Sequence, residues 1–67
     1  MTLGRNIRSK RNACGLDQQE LAERIGVTPA AVSYIERDKK MPSVAVLISI
    51  ADTLHTSIDE LLGRKVV

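Results

Sequence analysis

The chain has 67 residues, 43% of them hydrophobic, and ten basic residues against eight acidic ones give it a formal net charge of +2. This length allows one domain over residues 1–67, and a chain of about 60 residues buries too little surface to enclose a deep substrate cavity. Aromatic residues make up only 1% of the chain, which argues against the Trp- and Phe-filled cores of small β-sandwiches and barrels. We therefore predict a small all-α domain.

The cysteine content and hydropathy favour a soluble, cytoplasmic protein. Cys14 is the only cysteine, which excludes an internal disulfide and a multi-cysteine zinc site, and small secreted domains usually need disulfides. No hydrophobic stretch follows the charged first ten residues, so a signal peptide is not expected. No second His or Cys stands at metal-ligand spacing, so we expect neither a metal nor a cofactor.

Charge is distributed unevenly along the chain. Residues 1–15 carry four basic side chains and no acid, whereas residues 43–63 carry three acids and no base. Two further basic pairs, at 39–40 and 64–65, fall in segments predicted to be non-helical. This distribution favours a polyanionic partner on one side of the domain, although ordinary solvated helix faces would produce the same pattern.

Helix start and stop signals predict five helices, of which the first spans about Thr2 to Ala13 and is closed by Gly15. Leu3, Ile7 and Cys14 follow one another at spacings of four and seven residues, which places them on one apolar stripe. We therefore expect Cys14 to be a small core residue.

The second and third predicted helices have clear boundary signals. Asp17 with Glu20 forms a capping box for the second helix, which ends at Gly26, a residue that readily adopts a left-handed cap. Thr28 and Pro29 open the third helix as its N-cap and first helical residue. The apolar residues that face inwards from these helices and their turn are Leu21, Ala22, Ile25, Val27, Val32 and Ile35.

The same signals predict the fourth and fifth helices. Ser43 caps the fourth helix, and Ser57 with Glu60 forms a capping box for the fifth, which closes at Gly63. His55 lies between them and is expected to act in a C-terminal cap rather than as a ligand. The apolar residues predicted to face inwards are Val44, Leu47, Ile50, Ala51, Leu54, Ile58, Leu61 and Leu62.

Residues 18–37 combine two short helices with a tight turn, and every core position between them is filled by an apolar residue or by the turn glycine. The segment QQELAERIGVTPAAVSYIE, residues 18–36, resembles the helix-turn-helix of the phage-repressor family, which includes the Cro and lambda-repressor DNA-binding domains and many XRE-like regulators. The resemblance covers about residues 3–63 and implies a compact, lambda-repressor-like domain of five helices. It also implies that helix 28–37 lies in the major groove of double-stranded DNA.

The resemblance further implies that the outward face of this recognition helix contacts bases. Pro29 and Ala30 lack side-chain donors, unlike the Gln or Arg of other members, but they can contact thymine methyl groups. Tyr34 is assigned to the groove, although a tyrosine here could instead cover the edge of the core with its hydroxyl in water. The candidates for base contacts are Thr28, Pro29, Ala30, Ser33, Tyr34 and Arg37.

Phosphate contacts are expected around the recognition helix, where they fix the register without reading sequence. Gln18 and Gln19 begin a helix whose free N–H groups favour an anion, and Ser43 begins another such helix. Lys39 and Lys40 lie in the preceding loop, where they could also be merely solvated. Weaker candidates on the first helix are Lys10 and Asn12.

Arg11 and Glu36 resemble the semi-buried ion pair of the family, and we assign them a structural role because burying either charge alone would be costly. A single module buries only about 600–1,000 Å² on DNA, which is too little for tight specificity. We therefore expect a homodimer on a palindromic operator, with recognition helices roughly 34–36 Å apart, that acts as a transcriptional repressor. The dimer seam is expected at the fifth helix and the tail, residues 64–67, with Val46 as a further candidate.

Two other classes of function compete with this interpretation. A protein-interaction or antitoxin-type module would keep the fold with weak or no operator binding, and the missing donors at positions 29 and 30 favour it. Nonspecific nucleic-acid binding would give a steep salt dependence without sequence preference. An enzyme is not expected, because Ser33 has no base at a recognisable spacing and no glycine-rich phosphate loop is present.

Overall fold

The computed structural model describes residues 2–64, and all regular structure in this part of the chain is helical. The five helices are α1 (Leu3–Ala13), α2 (Gln18–Ile25), α3 (Pro29–Glu36), α4 (Val44–Thr53) and α5 (Ile58–Leu62). The prediction of an all-α domain with five helices is therefore confirmed. None of these helices is long and apolar enough to cross a membrane.

A polar side chain begins each helix by accepting a hydrogen bond from a backbone N–H of the first turn. These N-caps are Thr2, Asp17, Thr28, Ser43 and Ser57. The capping box of α2 is complete, but in α5 only the serine forms its half of the predicted box. The Glu60 carboxylate instead accepts hydrogen bonds from Lys10 on α1 and from Thr56.

The core lies between α2, which packs on α3 and α4, and α1, which packs on α3 and α5. Nine hydrophobic side chains are buried there: Ile7, Leu21, Ala22, Val32, Ile35, Ile50, Ala51, Leu54 and Leu61. All nine belong to the apolar faces predicted from the sequence. This packing holds α3 against the domain by one face and leaves its other face outward.

Three residues predicted to lie inside are exposed. Cys14 is the C-cap of α1 and lies past the core, where its thiol donates to the carbonyl oxygen of Leu54 at 3.5 Å. Val44 is 74% exposed because the packed residues of α4 begin at Val46, so the first turn projects beyond the core. Leu62 is 43% exposed, whereas its neighbour Leu61 is the residue of α5 that is fully buried.

Two further predictions concern α4 and its C-terminal end. Val46, a further candidate for the dimer seam, packs against the core and is partly buried. His55 follows the C-cap Leu54 with a φ of 53°, so the predicted role in helix termination is confirmed. The tail valines that are candidates for a dimer seam, Val66 and Val67, lie outside the described residues.

Candidate nucleic-acid interface

The residues at the start of α3 determine where the helix begins, and its buried residues determine which side faces outwards. Thr28 Oγ1 accepts a hydrogen bond from the N–H of Ala31 at 3.1 Å, and Pro29 occupies the first helical position, where no N–H is needed. Farther along the helix, Val32, Ile35 and Glu36 are buried. One side of α3 therefore packs against the rest of the domain. The opposite side is free to enter a groove.

That opposite side carries the residues predicted to contact bases. Five of them are exposed and Ser33 is half-buried: Thr28, Pro29, Ala30, Ser33, Tyr34 and Arg37. The Tyr34 side chain is 48% exposed, and the Arg37 guanidinium lies over its ring at 5.3 Å from the centroid. Arg37 Nε also donates to the carbonyl oxygen of Ser33 at 3.4 Å. The second turn and the end of α3 therefore present hydrogen-bond donors, whereas the first turn presents a largely apolar surface.

A buried network ties α1, α2 and α3 together directly behind this face. The Glu36 carboxylate accepts from Arg11 Nε at 2.7 Å, from Arg11 Nη2 at 3.0 Å and from Gln18 Nε2 at 3.0 Å. Arg11 Nη1 donates to the carbonyl oxygen of Leu16 at 2.8 Å. The hydrogen bonds to Glu36 raise the pKa of Arg11, and only 2% of the Glu36 side chain is exposed. The orientation of α3 thus depends on one carboxylate shared by three helices.

The residues predicted to contact phosphates differ in which of their polar groups are already used within the domain. The side-chain nitrogen of Gln18 donates to Glu36, so this donor is already used within the domain. Lys39 and Lys40 are exposed and make no salt bridge within residues 2–64. Ser43 Oγ accepts the N–H of Val46 at 3.2 Å, which leaves its hydroxyl proton to donate. Gln19 is exposed and its amide lies 3.5 Å from Glu23 Oε1.

Lys10, a weaker phosphate candidate from the sequence, faces a different part of the molecule. Its ammonium group lies 3.0 Å from the Glu60 carboxylate of α5. The other weaker candidate, Asn12, is exposed on α1 and lines a shallow groove with Arg5, Arg8 and Ser9. The structure therefore separates the two candidates: Lys10 is paired towards α5, whereas Asn12 belongs to the outer face of α1.

Sequence reasoning missed the contact that seats α1 on the end of α3. Asp38 adopts a positive φ of 58°, and its carboxylate accepts the N–H of Gly4 at 3.0 Å. A methyl group on Gly4 would lie 2.5 Å from the carbonyl oxygen of Glu36 and 2.6 Å from that of Ile35. Only glycine therefore allows α1 to approach α3 this closely. The signal in the sequence was a glycine inside a predicted helix, which often marks a close backbone approach.

Asp38 and Glu60 stabilise the folded state when they are ionised. Hydrogen bonds from the hydroxyl of Thr2 and the N–H of Gly4 hold the pKa of Asp38 below its ordinary value of 3.8. The hydrogen bond and positive charge of Lys10 hold the pKa of Glu60 below its ordinary value of 4.5. Both carboxylates therefore bind protons less readily in the folded state than in the unfolded chain.

Acid is expected to destabilise the protein through these two carboxylates. Because the unfolded chain binds more protons below pH 4.5, their contribution is complete above that pH and falls away as the pH drops through the lowered pKa values. Thermal unfolding followed from about pH 6 to about pH 2 measures the effect. The double variant Asp38→Asn, Glu60→Gln should lose less stability over this range, and an equal loss in both proteins would contradict the prediction.

The helical geometry and its sequence have close counterparts among known proteins. The helix-turn-helix family model HTH_3 matches residues 7–61. The control protein C.SmaI of Serratia marcescens is 36% identical over 63 residues, which cover 94% of this chain and 75% of the relative. The uncharacterized HTH-type transcriptional regulator YazB of Bacillus subtilis is 38% identical over 58 residues, which cover 87% of this chain and 84% of the relative.

A solved structure of the P22 c2 repressor protein in complex with synthetic operator 9T superimposes on the chain with a TM-score of 0.91. The two sequences are 29% identical, and the match covers 97% of this chain and 98% of the repressor chain. The lambda-repressor-like fold expected from the sequence is therefore confirmed.

Proposed function

The chain belongs to the helix-turn-helix family of XRE-like DNA-binding transcriptional regulators, and from this premise we propose that it is a repressor that binds a palindromic operator as a homodimer in the cytoplasm. The observation that carries the proposal is the outward face of α3, where exposed Tyr34 and Arg37 are held as a pair above a buried network that fixes the helix. A helix so presented has the width and rigidity to enter the major groove.

Base readout is proposed to divide along α3. Thr28, Pro29 and Ala30 form the first turn, where apolar surface meets thymine methyl groups. Ser33, Tyr34 and Arg37 supply hydrogen-bond donors farther along the helix, and we assign the polar contacts to base edges to them. This division supports specific binding although the first turn has no Gln or Arg. The second interpretation, an interaction module with weak operator binding, is favoured by that same donor-poor first turn.

Phosphate contacts are proposed on both sides of the groove. Gln18 and Gln19 offer the N-terminal turn of α2, and Ser43 offers that of α4. Lys39 and Lys40 add two cations whose ammonium groups are uncommitted within residues 2–64. Such contacts position the protein and supply most of the salt-dependent affinity, whereas they do not select the sequence.

A homodimer is proposed because one such domain covers too little DNA for tight specificity. Single modules bury about 600–1,000 Å² on DNA, and two-fold symmetric pairs place their recognition helices roughly 34–36 Å apart. The exposed Leu62 on α5 supports a seam that includes this helix. The P22 c2 repressor, whose structure was solved in complex with a synthetic operator, supports operator DNA as the partner of this domain.

Selection from random duplex DNA with the purified full chain tests the proposal. Recovery of an inverted repeat, with half-sites about one helical turn apart, is the expected result. Recovery of a single unrepeated site would exclude the homodimer but keep specific binding. Enrichment of no sequence, at a salt concentration where the protein still binds duplex DNA, would leave nonspecific binding. No binding at all would favour the interaction module.

Tyr34→Ala and Lys39→Ala are expected to act differently on the selected operator. Removing the Tyr34 side chain should relax the sequence preference, because a base contact contributes about 1–3 kcal/mol of discrimination. Removing the Lys39 ammonium group should weaken binding to all sequences alike and reduce the salt dependence. Titrations of operator and scrambled duplex at several salt concentrations separate the two effects. A Lys39 variant with altered preference beside an unaltered Tyr34 variant would reverse the proposed orientation of α3.

A further inference from the structure

We propose that the outer face of α1 is a second phosphate-contacting surface, which extends the contact with the duplex beyond the groove that α3 enters. The surface forms part of a basic belt around the C-terminal end of α3. We define this belt by its five exposed cationic residues: Arg5, Arg8, Arg37, Lys39 and Lys40. The inference rests on the proposed function, because it takes the duplex bound by α3 as the partner.

The position of the belt follows from the close approach of α1 and α3. Gly4 lies against the carbonyl oxygens of Ile35 and Glu36, so the first turn of α1 abuts the last turn of α3. Arg5 comes directly after Gly4, and its positive charge acts on the Asp38 carboxylate in the loop that leads to the lysines. Arg5 therefore joins the outer face of α1, where it lines one groove with Arg8, to the loop that carries the lysines.

The outer face of α1 displays donors almost exclusively. Arg5, Arg8, Ser9 and Asn12 are exposed, and their spacing of three, four and seven residues places them on one side of the helix, where they line a shallow groove. This side points away from the buried Ile7. Two guanidinium groups, a hydroxyl and an amide can all donate to phosphate oxygens.

No cation of the belt forms a salt bridge within the described residues, although Arg5 lies close enough to Asp38 for its charge to act on that carboxylate. Within residues 2–64, the salt bridges involve Lys10 and Arg11 of α1, and neither Arg5 nor Arg8 takes part in one. The one carboxylate in the belt, that of Asp38, is held by the N–H of Gly4. The two basic residues that stabilise the fold are thus paired, whereas the two on the outer face are left for a partner.

A DNA backbone fits this surface better than an acidic protein does. The belt begins at Arg37, which lies at the end of the helix proposed to enter the groove, so a bound duplex already brings phosphates to its edge. Duplex DNA carries one negative charge for every ~1.7 Å of its axis, and α1 rises about 1.5 Å per residue, so its outer face is long enough to contact more than one phosphate. No separate recruitment step is then needed to place an anion on Arg5 and Arg8.

The salt dependence of operator binding tests the proposal. Each phosphate contact contributes about 0.9 to the slope of log affinity against log salt concentration. The variants Arg5→Gln and Arg8→Gln should each lower the slope by about 0.9, and the double variant by about twice that. The preferred operator sequence should not change. Arg24→Gln is the matched control, because it removes one exposed cation from α2, outside the belt, and should leave the slope close to that of the wild type.

A wild-type slope in the double variant, with thermal unfolding also unchanged, overturns the proposal and leaves an acidic protein as the candidate for this surface. An equal fall in slope in the Arg24→Gln control overturns it as well, because the effect would then follow net charge alone. If the random-sequence selection yields no operator, the proposed function fails instead. The same salt titrations on an arbitrary duplex still measure whether Arg5 and Arg8 contact phosphates.

Discussion

Replacing Glu36 by leucine is expected to lower the free energy of unfolding by about 3–5 kcal/mol, the cost of leaving a buried charge without its partner. The substitution removes three hydrogen bonds from Arg11 and Gln18 and strands a guanidinium whose side chain is 9% exposed. Urea unfolding followed by circular dichroism measures the loss. For a domain of this size the loss is a large part of the total stability, at about 0.05–0.15 kcal/mol per residue.

Two controls distinguish the cost of leaving one buried charge unpaired from the effect of removing a charge in general. The double variant Arg11→Met, Glu36→Leu removes both charges and should recover most of the stability, because apolar replacements of a buried pair are often neutral. Lys10→Gln breaks the exposed pair with Glu60 and should change the stability little, because solvent screens it. Equal losses in Glu36→Leu and Lys10→Gln would show that burial of the network has no special role.

Replacing Gly4 by alanine should destabilise the protein at the upper end of the about 1–3 kcal/mol typical of overpacking. The added methyl group would lie 2.5 Å from a backbone oxygen of α3 and 2.8 Å from the Asp38 carboxylate. A carbonyl of a helix cannot move aside as a flexible side chain can, so α1 must shift away from α3. Urea unfolding gives the stability, and operator affinity reports whether α3 has been displaced.

Two comparisons show whether the effect of Gly4→Ala comes from the close approach of α1 and α3. Alanine in an ordinary helix interior is favoured over glycine by about 1 kcal/mol, so a stabilised Gly4→Ala variant would mean that the close approach does not exist. Gly15 has a φ of 71° with nothing within 4 Å of an added methyl group, so Gly15→Ala tests backbone conformation without a clash. Only Gly4→Ala should alter operator affinity along with stability.

Local signals in the sequence are sufficient to predict the five helices. Asp17, Thr28, Ser43 and Ser57 are N-caps as predicted, because capping joins residues only two or three positions apart, whereas Thr2, predicted as the first residue of the first helix, is its N-cap. The apolar spacing likewise identifies the core. The Arg11–Glu36 pair links residues 25 positions apart, and it is found through family resemblance rather than through any local pattern.

The features that the sequence does not predict arise from the packing of one helix on another. Asp38 and Gly4 are 34 residues apart, and a glycine inside a helix indicates a close approach without indicating which residue approaches it. Val44 is exposed because the first turn of α4 extends past the neighbouring helices. The spacing of apolar residues in α4 does not indicate where the helix leaves the core. The basic belt likewise exists only because α1 abuts the end of α3, since its members come from two distant segments.

The place of Tyr34 has a practical consequence for studying the protein in solution. The chain contains one tyrosine and neither tryptophan nor phenylalanine, so all of its near-ultraviolet emission arises from this one ring. The ring is half-exposed on the outer face of α3 rather than in the core. The unlabelled protein therefore carries an optical reporter at the position where a base pair is proposed to dock, with no second chromophore to obscure it.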